Sequence, residues 1–370
     1  MSLSETEKIY RLALNHFPQI GPLRGRILLE SLGSAEAAWR ASADQLQALP
    51  RFSASLVEKF KAFRRQHDPE VLYQSVLARE IQLCFLGDAD YPAWLAEIYD
   101  PPLLLYWRGQ AERWSALSRS VAMVGTRSPS VYGQRVALQF AEALASAGVC
   151  IISGMALGID ALAHQGALKA GGMTVAVLGS GLDNPSPPSH WSLYQRLCRE
   201  GLVLSELPPD HPPRNWTFPM RNRIVSGLSR GVIVVEAGLK SGTLITVDAA
   251  HEQGREVFAV PGAIDAPQSQ GTNALIQQGA QLLRHPDEVL EAMGWVVQSE
   301  KKNHDFEPND LTNDEARVYV LLGEHPMHVD ALAAQSALSP QAILGLLTVL
   351  EMKGIVEQLP GKRYKKTFRL

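Results

Sequence analysis

The chain has 370 residues, 46% of them hydrophobic and 20% charged, a length that predicts more than one domain of ordinary globular composition. Its formal net charge of −3 excludes a protein that coats duplex DNA by charge alone, so a polyanionic ligand would need a local basic site. MSLSETEKIY has no apolar signal core, no apolar run is long enough for a membrane span, and the three cysteines (Cys84, Cys150, Cys198) form no CxxC pair, so the expected setting is the cytoplasm, with no disulfide framework and no metal site.

Residues 1–68 read as a helical N-terminal domain, opened by Ser4 and Glu7 at capping-box spacing. Ile20-Gly21-Pro22 and Leu49-Pro50 punctuate short helices in the manner of helix-hairpin-helix (SAM-like) units. Such units hold a DNA phosphate at a helix start, although a ligand-free packing domain fits the same pattern. Residues 69–118 form a bridge with strands expected at Ile81–Phe85 and Leu103–Trp107. The bridge extends a domain that runs from 69 to 295.

From Val121 onward, short apolar runs alternate with helical stretches. The runs are Val121–Val124, Val149–Ile152, Thr174–Leu178, Leu202–Leu204, Val232–Val235 and Val257–Val260. Strands without polar alternation, separated by helices, predict a doubly wound, Rossmann-like α/β domain with a mostly parallel sheet. One intervening helix places Val136, Phe140 and Leu144 on one face and stops at Gly148. Residues 296–308 are polar and read as a linker. The segment 309–370 reads as a winged helix. Thr312 or Asn313 caps its first helix, and a helix-turn-helix pair covers Val329–Ala337 and Pro340–Lys353. A hairpin around Gly361 carries Lys362, Arg363, Lys365, Lys366 and Arg369.

In a parallel sheet, ligands bind beyond the carboxyl ends of the strands. The turns at those ends are Gly125-Thr126-Arg127, Ser153-Gly154, Gly179-Ser180-Gly181, Ser205-Glu206, Glu236 to Lys240-Ser241-Gly242-Thr243, and Pro261-Gly262. Glycines admit a close ligand and helix starts attract anions, so the edge suits phosphate. No cofactor signature accompanies it. Gly179-Ser180-Gly181 lacks a third glycine, Leu239–Thr243 is not a P-loop, and no GxSxG occurs. No cofactor is expected.

Arg127 either grips phosphate bidentately or pairs with Glu206 or Glu236. Arg221-Asn222-Arg223, expected at a helix start, either holds an anion or pins two loops. Lys240-Ser241-Gly242-Thr243 offers either an anion-binding helix N-terminus or a plain N-cap. Asp160 and His164, four apart on one helix face, either form a metal pair or, the favoured reading, orient the preceding glycine loop by hydrogen bonds. Asn273 to Leu283, with Leu275, Ile276 and Leu282, is core by its spacing or else a dimer surface.

The strings VAMVGTRSPSVYG (121–133), ISGMALGIDALAHQGAL (152–168), VAVLGSGLD (175–183), LSELPP (204–209), FPMRNRIVSGLSRGVIVVEA (218–237), SGTLITVDAAHEQGREVFAVPG (241–262) and GTNALIQQGA (271–280) fill the central domain in order. Together they resemble the bacterial DNA processing protein A family (DprA, also called Smf). The resemblance implies a non-enzymatic protein of natural transformation that binds single-stranded DNA, shields it, loads the RecA recombinase onto it, and forms a homodimer. It makes Arg127 a DNA-pocket arginine shaped around by Gly125, Gly154 and Gly242. It also puts Asn273, Ile276 and Leu282 in the dimer-forming stretch, against the preference of spacing alone. One segment departs from the family: 184–190 lacks the aromatic and the lysine found there, leaving Trp191 or Arg196 to compensate. Two other functions compete. A phosphoribohydrolase-like nucleotide hydrolase would need a double glycine before Ser241-Gly242-Thr243 and a glutamate after it, and the chain has neither. A winged-helix regulator of duplex DNA would rest on the tail.

Overall fold

The computed structural model describes residues 3–295, 311–322, 326–336, 338–352 and 355–366. The chain divides into two compact units after Trp295. The expected linker at 296–308 and Arg369 lie outside the described residues.

The first unit opens with six helices: α1 (Glu5–His16), α2 (Pro22–Leu32), α3 (Ala35–Arg40), α4 (Ala43–Gln47), α5 (Ala54–Gln66) and α6 (Pro69–Leu77). Ser4 caps α1 through the Glu7 N–H at 3.3 Å. Glu7 does not complete the box; its carboxylate takes Arg11 and the Ala35 N–H, tying α1 to α3. Phe17, Trp39, Phe60 and Leu28 form a core between these helices. The helices are also joined to the sheet, where the buried Tyr106 hydroxyl donates to Asn15 at 2.8 Å.

The sheet and its helices then follow. They are β1 (Gln82–Phe85), α7 (Ala93–Ala96), β2 (Leu104–Gly109), β3 (Ser120–Val124), α8 (Val131–Ser146), β4 (Cys150–Ser153), α9 (Ile159–Lys169), β5 (Thr174–Val177), α10 (Trp191–Glu200), β6 (Leu202–Ser205), α11 (Thr217–Gly227), β7 (Gly231–Val234), α12 (Thr243–Glu252), β8 (Glu256–Ala259), α13 (Gln270–Gln277), β9 (Gln281–Leu282) and α14 (Pro286–Ala292). The strand order is β1-β2-β6-β5-β4-β3-β7-β8-β9. The strands from β6 to β9 run parallel, and β2 and β1 continue the sheet in antiparallel fashion beside β6. Both faces are covered. In β3, Val121 and Met123 pack towards α8 and α9, while Ala122 and Val124 pack towards α11 and α12. This explains the unalternated runs: every residue of such a strand is inside.

From β3 the chain winds one way through β4, β5 and β6, then returns to β7 beside β3 and winds the other way. The adjacent carboxyl ends of β3 and β7 are therefore the point where the winding reverses, the place where ligands bind in such sheets.

The second unit contains α15 (Asn313–Leu321), β10 (Met327–His328), α16 (Val329–Ser336), α17 (Pro340–Met352), β11 (Val356–Leu359) and β12 (Arg363–Lys366). Thr312 and Glu315 form a true capping box on α15. The hairpin turns at Gly361, whose φ of +83° favours glycine. β10, not expected from sequence, adds to β12 to complete a winged-helix unit. On the wing, Lys365 pairs with Glu357 and Lys366 lies over the Tyr319 ring, which leaves Lys362 and Arg363 as the more outward cations. No single helix among the described residues is long and apolar enough to cross a membrane.

Candidate nucleic-acid interface

A cavity of about 510 Å³ occupies the crevice at the winding reversal. Gly125, Arg127, Gly154, Arg221, Asn222, Ser241, Gly242 and Thr243 line it, so three strand-end turns and one face of α11 converge there. Gly125 is required by closeness: a Cβ would sit 2.9 Å from the Glu236 carbonyl oxygen and 2.6 Å from Ile159. The absence of that carbon lets the Thr126 N–H reach the Glu236 carbonyl at 2.7 Å, locking the β3 and β7 loops together.

The two acids that could have neutralised Arg127 are engaged elsewhere. The Glu236 carboxylate accepts from the Ser130 N–H at 2.9 Å and from the Ser130 hydroxyl. Glu206 pairs with Arg223. Arg127 is exposed, stands 5.9 Å from the centre of the Phe218 ring, and is in no ion pair among the described residues. Its charge faces the cavity unspent.

Arg221 is a different kind of cation. It is buried and donates to the carbonyls of Gly154 and Val177. Burial pushes its pKa down, and Asp160 works against that. Gly154 must be glycine here, because a Cβ would lie 2.5 Å from the guanidinium. Asp160 accepts from the Gly154 and Ala156 N–H groups at 3.1 and 3.3 Å, which fixes the loop under Arg221. Burial raises the Asp160 pKa, while Arg221 and those N–H groups draw it back. The glycine-loop role expected for Asp160 is therefore the one seen. His164 takes no part in it. Its Nδ1 meets the Thr174 hydroxyl at 2.7 Å, and that hydroxyl donates to the Ile151 carbonyl, so Nδ1 carries the proton and the buried Nε2 has no partner among the described residues.

Burial, reinforced by Arg221 and His190, lowers the His164 pKa to about 3. The folded state thus excludes a proton that the unfolded chain accepts below about pH 6.5. Stability from this residue is whole above that pH and is lost as pH falls towards 3. We expect urea denaturation of the wild type between about pH 7.5 and 5 to show this acid limb, and His164→Leu to flatten it. A variant with an unchanged limb would assign it to other groups.

Several expected residues sit elsewhere. Arg223 does not line the cavity; it is held by Asp100 at 3.2 Å and by Glu206, pinning two loops. The Arg221–Arg223 run is not at a helix start either, because α11 begins at Thr217. Asn222 does line the cavity and accepts from the Arg221 Nε at 3.2 Å. The buried Ser153 hydroxyl donates to the Met123 carbonyl at 2.7 Å. Gly179 is buried against Phe218, and Gly181 against the carbonyls of Pro208 and Pro209. Thr126 shapes its own turn by accepting from the Ser128 N–H, and exposed Lys240 is outside the lining. Neither Ser241 nor Thr243 is the N-cap of α12, a place taken by Gly242 without a side-chain bond; Ser241 accepts from the Thr243 N–H at 3.2 Å, and both residues face the cavity.

Sequence reasoning missed Phe218 and Val225 as wall residues. Their spacing with Asn222 (i, i+4, i+7) marks one face of α11, and that period was the available signal. Arg196, the other candidate to replace the cation missing from 184–190, is paired with Glu200 and bonded to the Leu168 carbonyl. Trp191 is exposed.

In the stretch expected to form a dimer, Leu275 belongs to the core and is not at the surface. Asn273 bonds both the N–H and the carbonyl of Gly262. Ile276 is half-buried, and Leu282, 41% exposed, lies on edge strand β9.

Residues 82–294 match the family model for DNA recombination-mediator protein A, and residues 303–362 match that for the DprA winged helix domain. The chain belongs to the DprA family. Protein Smf of Synechocystis is 32% identical over 98% of this chain and 100% of its own length. The X-ray structure of DprA from Streptococcus pneumoniae superposes with a TM-score of 0.67 at 34% identity, covering 79% of this chain and 98% of that one. A Helicobacter pylori DprA structure, described as giving insight into a unique single-stranded DNA binding mode, has a TM-score of 0.52 at 32% identity over 57% of this DprA-family chain and 95% of its own.

Proposed function

We propose that the chain binds single-stranded DNA across the crevice between the β3 and β7 loops, acting by binding and not by catalysis. One observation carries this reading: an exposed Arg127 without an acidic partner among the described residues faces the same cavity as the buried Arg221, on a chain whose overall charge is negative. A local cationic site of this kind is what a near-neutral protein needs to hold a phosphate chain. The mixed walls, with Phe218 beside Arg127, suit a strand whose bases are free to stack. The single-stranded-DNA description of the H. pylori relative supports the same ligand. The family's recombination-mediator description supports a bound strand that is shielded and handed to RecA during natural transformation. A homodimer through the exposed edge at β9 and α13 would place two such crevices in one assembly.

The test is a fluorescence-anisotropy titration of full-length protein with single- and double-stranded oligonucleotides of equal length over a salt series. Single strands are expected to bind at least about tenfold more tightly, with log affinity falling against log salt by about 0.7 for each phosphate held. Equal affinity for duplex would move the activity to the winged-helix unit.

A further inference from the structure

The edge of the sheet opposite the crevice carries a second group of cations. Arg119, Arg230 and Arg255 immediately precede β3, β7 and β8, three neighbouring strands. The five residues of β3 put roughly 17 Å between this edge and the crevice, so one phosphate cannot touch both. Two tryptophans lie among the three side chains. The guanidinium carbons of Arg255 and Arg230 stand 4.9 and 5.1 Å from the centre of the Trp94 ring. Arg230 is also 5.9 Å from the Trp295 ring, to which Arg119 comes within 5.4 Å. The result is a row, Arg255–Trp94–Arg230–Trp295–Arg119, in which each ring is shared by two cations.

Arg255 is the anchored member. It is buried and donates to the Trp94 carbonyl at 2.7 Å. Burial pushes its pKa down; Glu97 draws it back, and the charge of Arg230 lowers it further. Arg119 and Arg230 are half-buried, and their guanidinium groups are in no ion pair or hydrogen bond among the described residues. The Nε atoms of Arg119 and Arg255 are buried without a partner among the same residues. Like charges are thus gathered at a cost that no bonded acid offsets. Guanidinium groups positioned by rings present their N–H forks ready for phosphate oxygens. Because both rings already carry cations, charge and not base stacking is the means of recognition left to the row.

We propose that Arg119 and Arg230 form a second phosphate-binding site, which takes the sugar-phosphate chain of a single strand regardless of its bases. The choice of a nucleic-acid strand as the source of phosphate rests on the single-stranded-DNA reading.

The test uses full-length protein with oligothymidylate or oligoadenylate of about 40 nucleotides, several common single-strand site sizes long. The double variant Arg119→Gln, Arg230→Gln is expected to bind both at least about tenfold more weakly at low salt, by the same factor for each. Its log–log salt slope should be shallower by about 1.4, two phosphates' share. Combined with Arg127→Ala, the two losses should multiply, as distant sites do. The wild type supplies a reading free of folding effects: phenylglyoxal modification, mapped by mass spectrometry, should slow at Arg119 and Arg230 when the strand is bound. Unchanged reaction at both arginines, under a strand that does protect Arg127, would overturn the proposal and leave the crevice reading standing. So would a wild-type affinity and slope in the double variant. A wild type that binds no single strand at all removes both.

Discussion

Arg127→Ala should bind single-stranded DNA about 10- to 100-fold more weakly at low salt, the worth of one charge-assisted contact of ~1.5–3 kcal/mol. Its log–log salt slope should be shallower by about 0.7, one phosphate's share. The fold should be indifferent, because the side chain is exposed and in no ion pair among the described residues. Arg127→Lys separates charge from shape: it should keep the slope yet lose part of the affinity, since an ammonium cannot fork onto two oxygens. Titrations of the three proteins from about 50 to 300 mM salt read both quantities, in the range where phosphate contacts dominate. An alanine variant with wild-type affinity and slope would remove Arg127 from the interface.

Arg221→Ala should instead cost stability, about 3–5 kcal/mol near neutral pH, because it strands a buried carboxylate. The Gly154 and Val177 carbonyls lose their donor, and Asp160 keeps the Gly154 and Ala156 N–H groups and Ser153 but no opposing charge from Arg221. The pH dependence has a definite sign. Burial already raises the Asp160 pKa in the folded state, so that state holds the proton more tightly than the unfolded chain does. The Asp160 contribution therefore weakens as pH rises from about 3.9 through the folded value. Arg221 lowers that value, so its removal extends the window upward and makes the penalty larger at about pH 7.5 than at pH 5. Urea denaturation at the two pH values measures this, and Asp160→Asn in the same chain should return part of the loss. A penalty equal at both pH values would mean that Asp160 does not feel Arg221.

The α/β architecture was legible because a strand buried on both faces must be apolar at every position, and the helices between the runs kept their own period. The site was legible at the turns that end β3, β4 and β7, where the chain has to come close to itself. What escaped was side-chain direction. Arg221 and Arg223 look like one basic clamp in the sequence, but residues two apart on a helix point to different sides. One accordingly faces the cavity and the other reaches Asp100 and Glu206. The acids competing for Arg127 posed the same difficulty, since Glu236 turned to Ser130, a partner 106 residues away that no local pattern could reveal. β9 and β10, two residues each, fall below any periodic signal.

The antiparallel pair β1 and β2 moves the border of the sheet from β6 out to the four-residue β1. Without it, β6 would offer an open row of N–H and C=O groups, an invitation to unwanted partners. Because Tyr106 in β2 is also bonded to Asn15 in α1, that border is anchored by the first helix. A shortened protein beginning near Ser120 would keep the whole crevice and yet be prone to self-association, so any minimal DNA-binding fragment has to be cut from the C-terminal side.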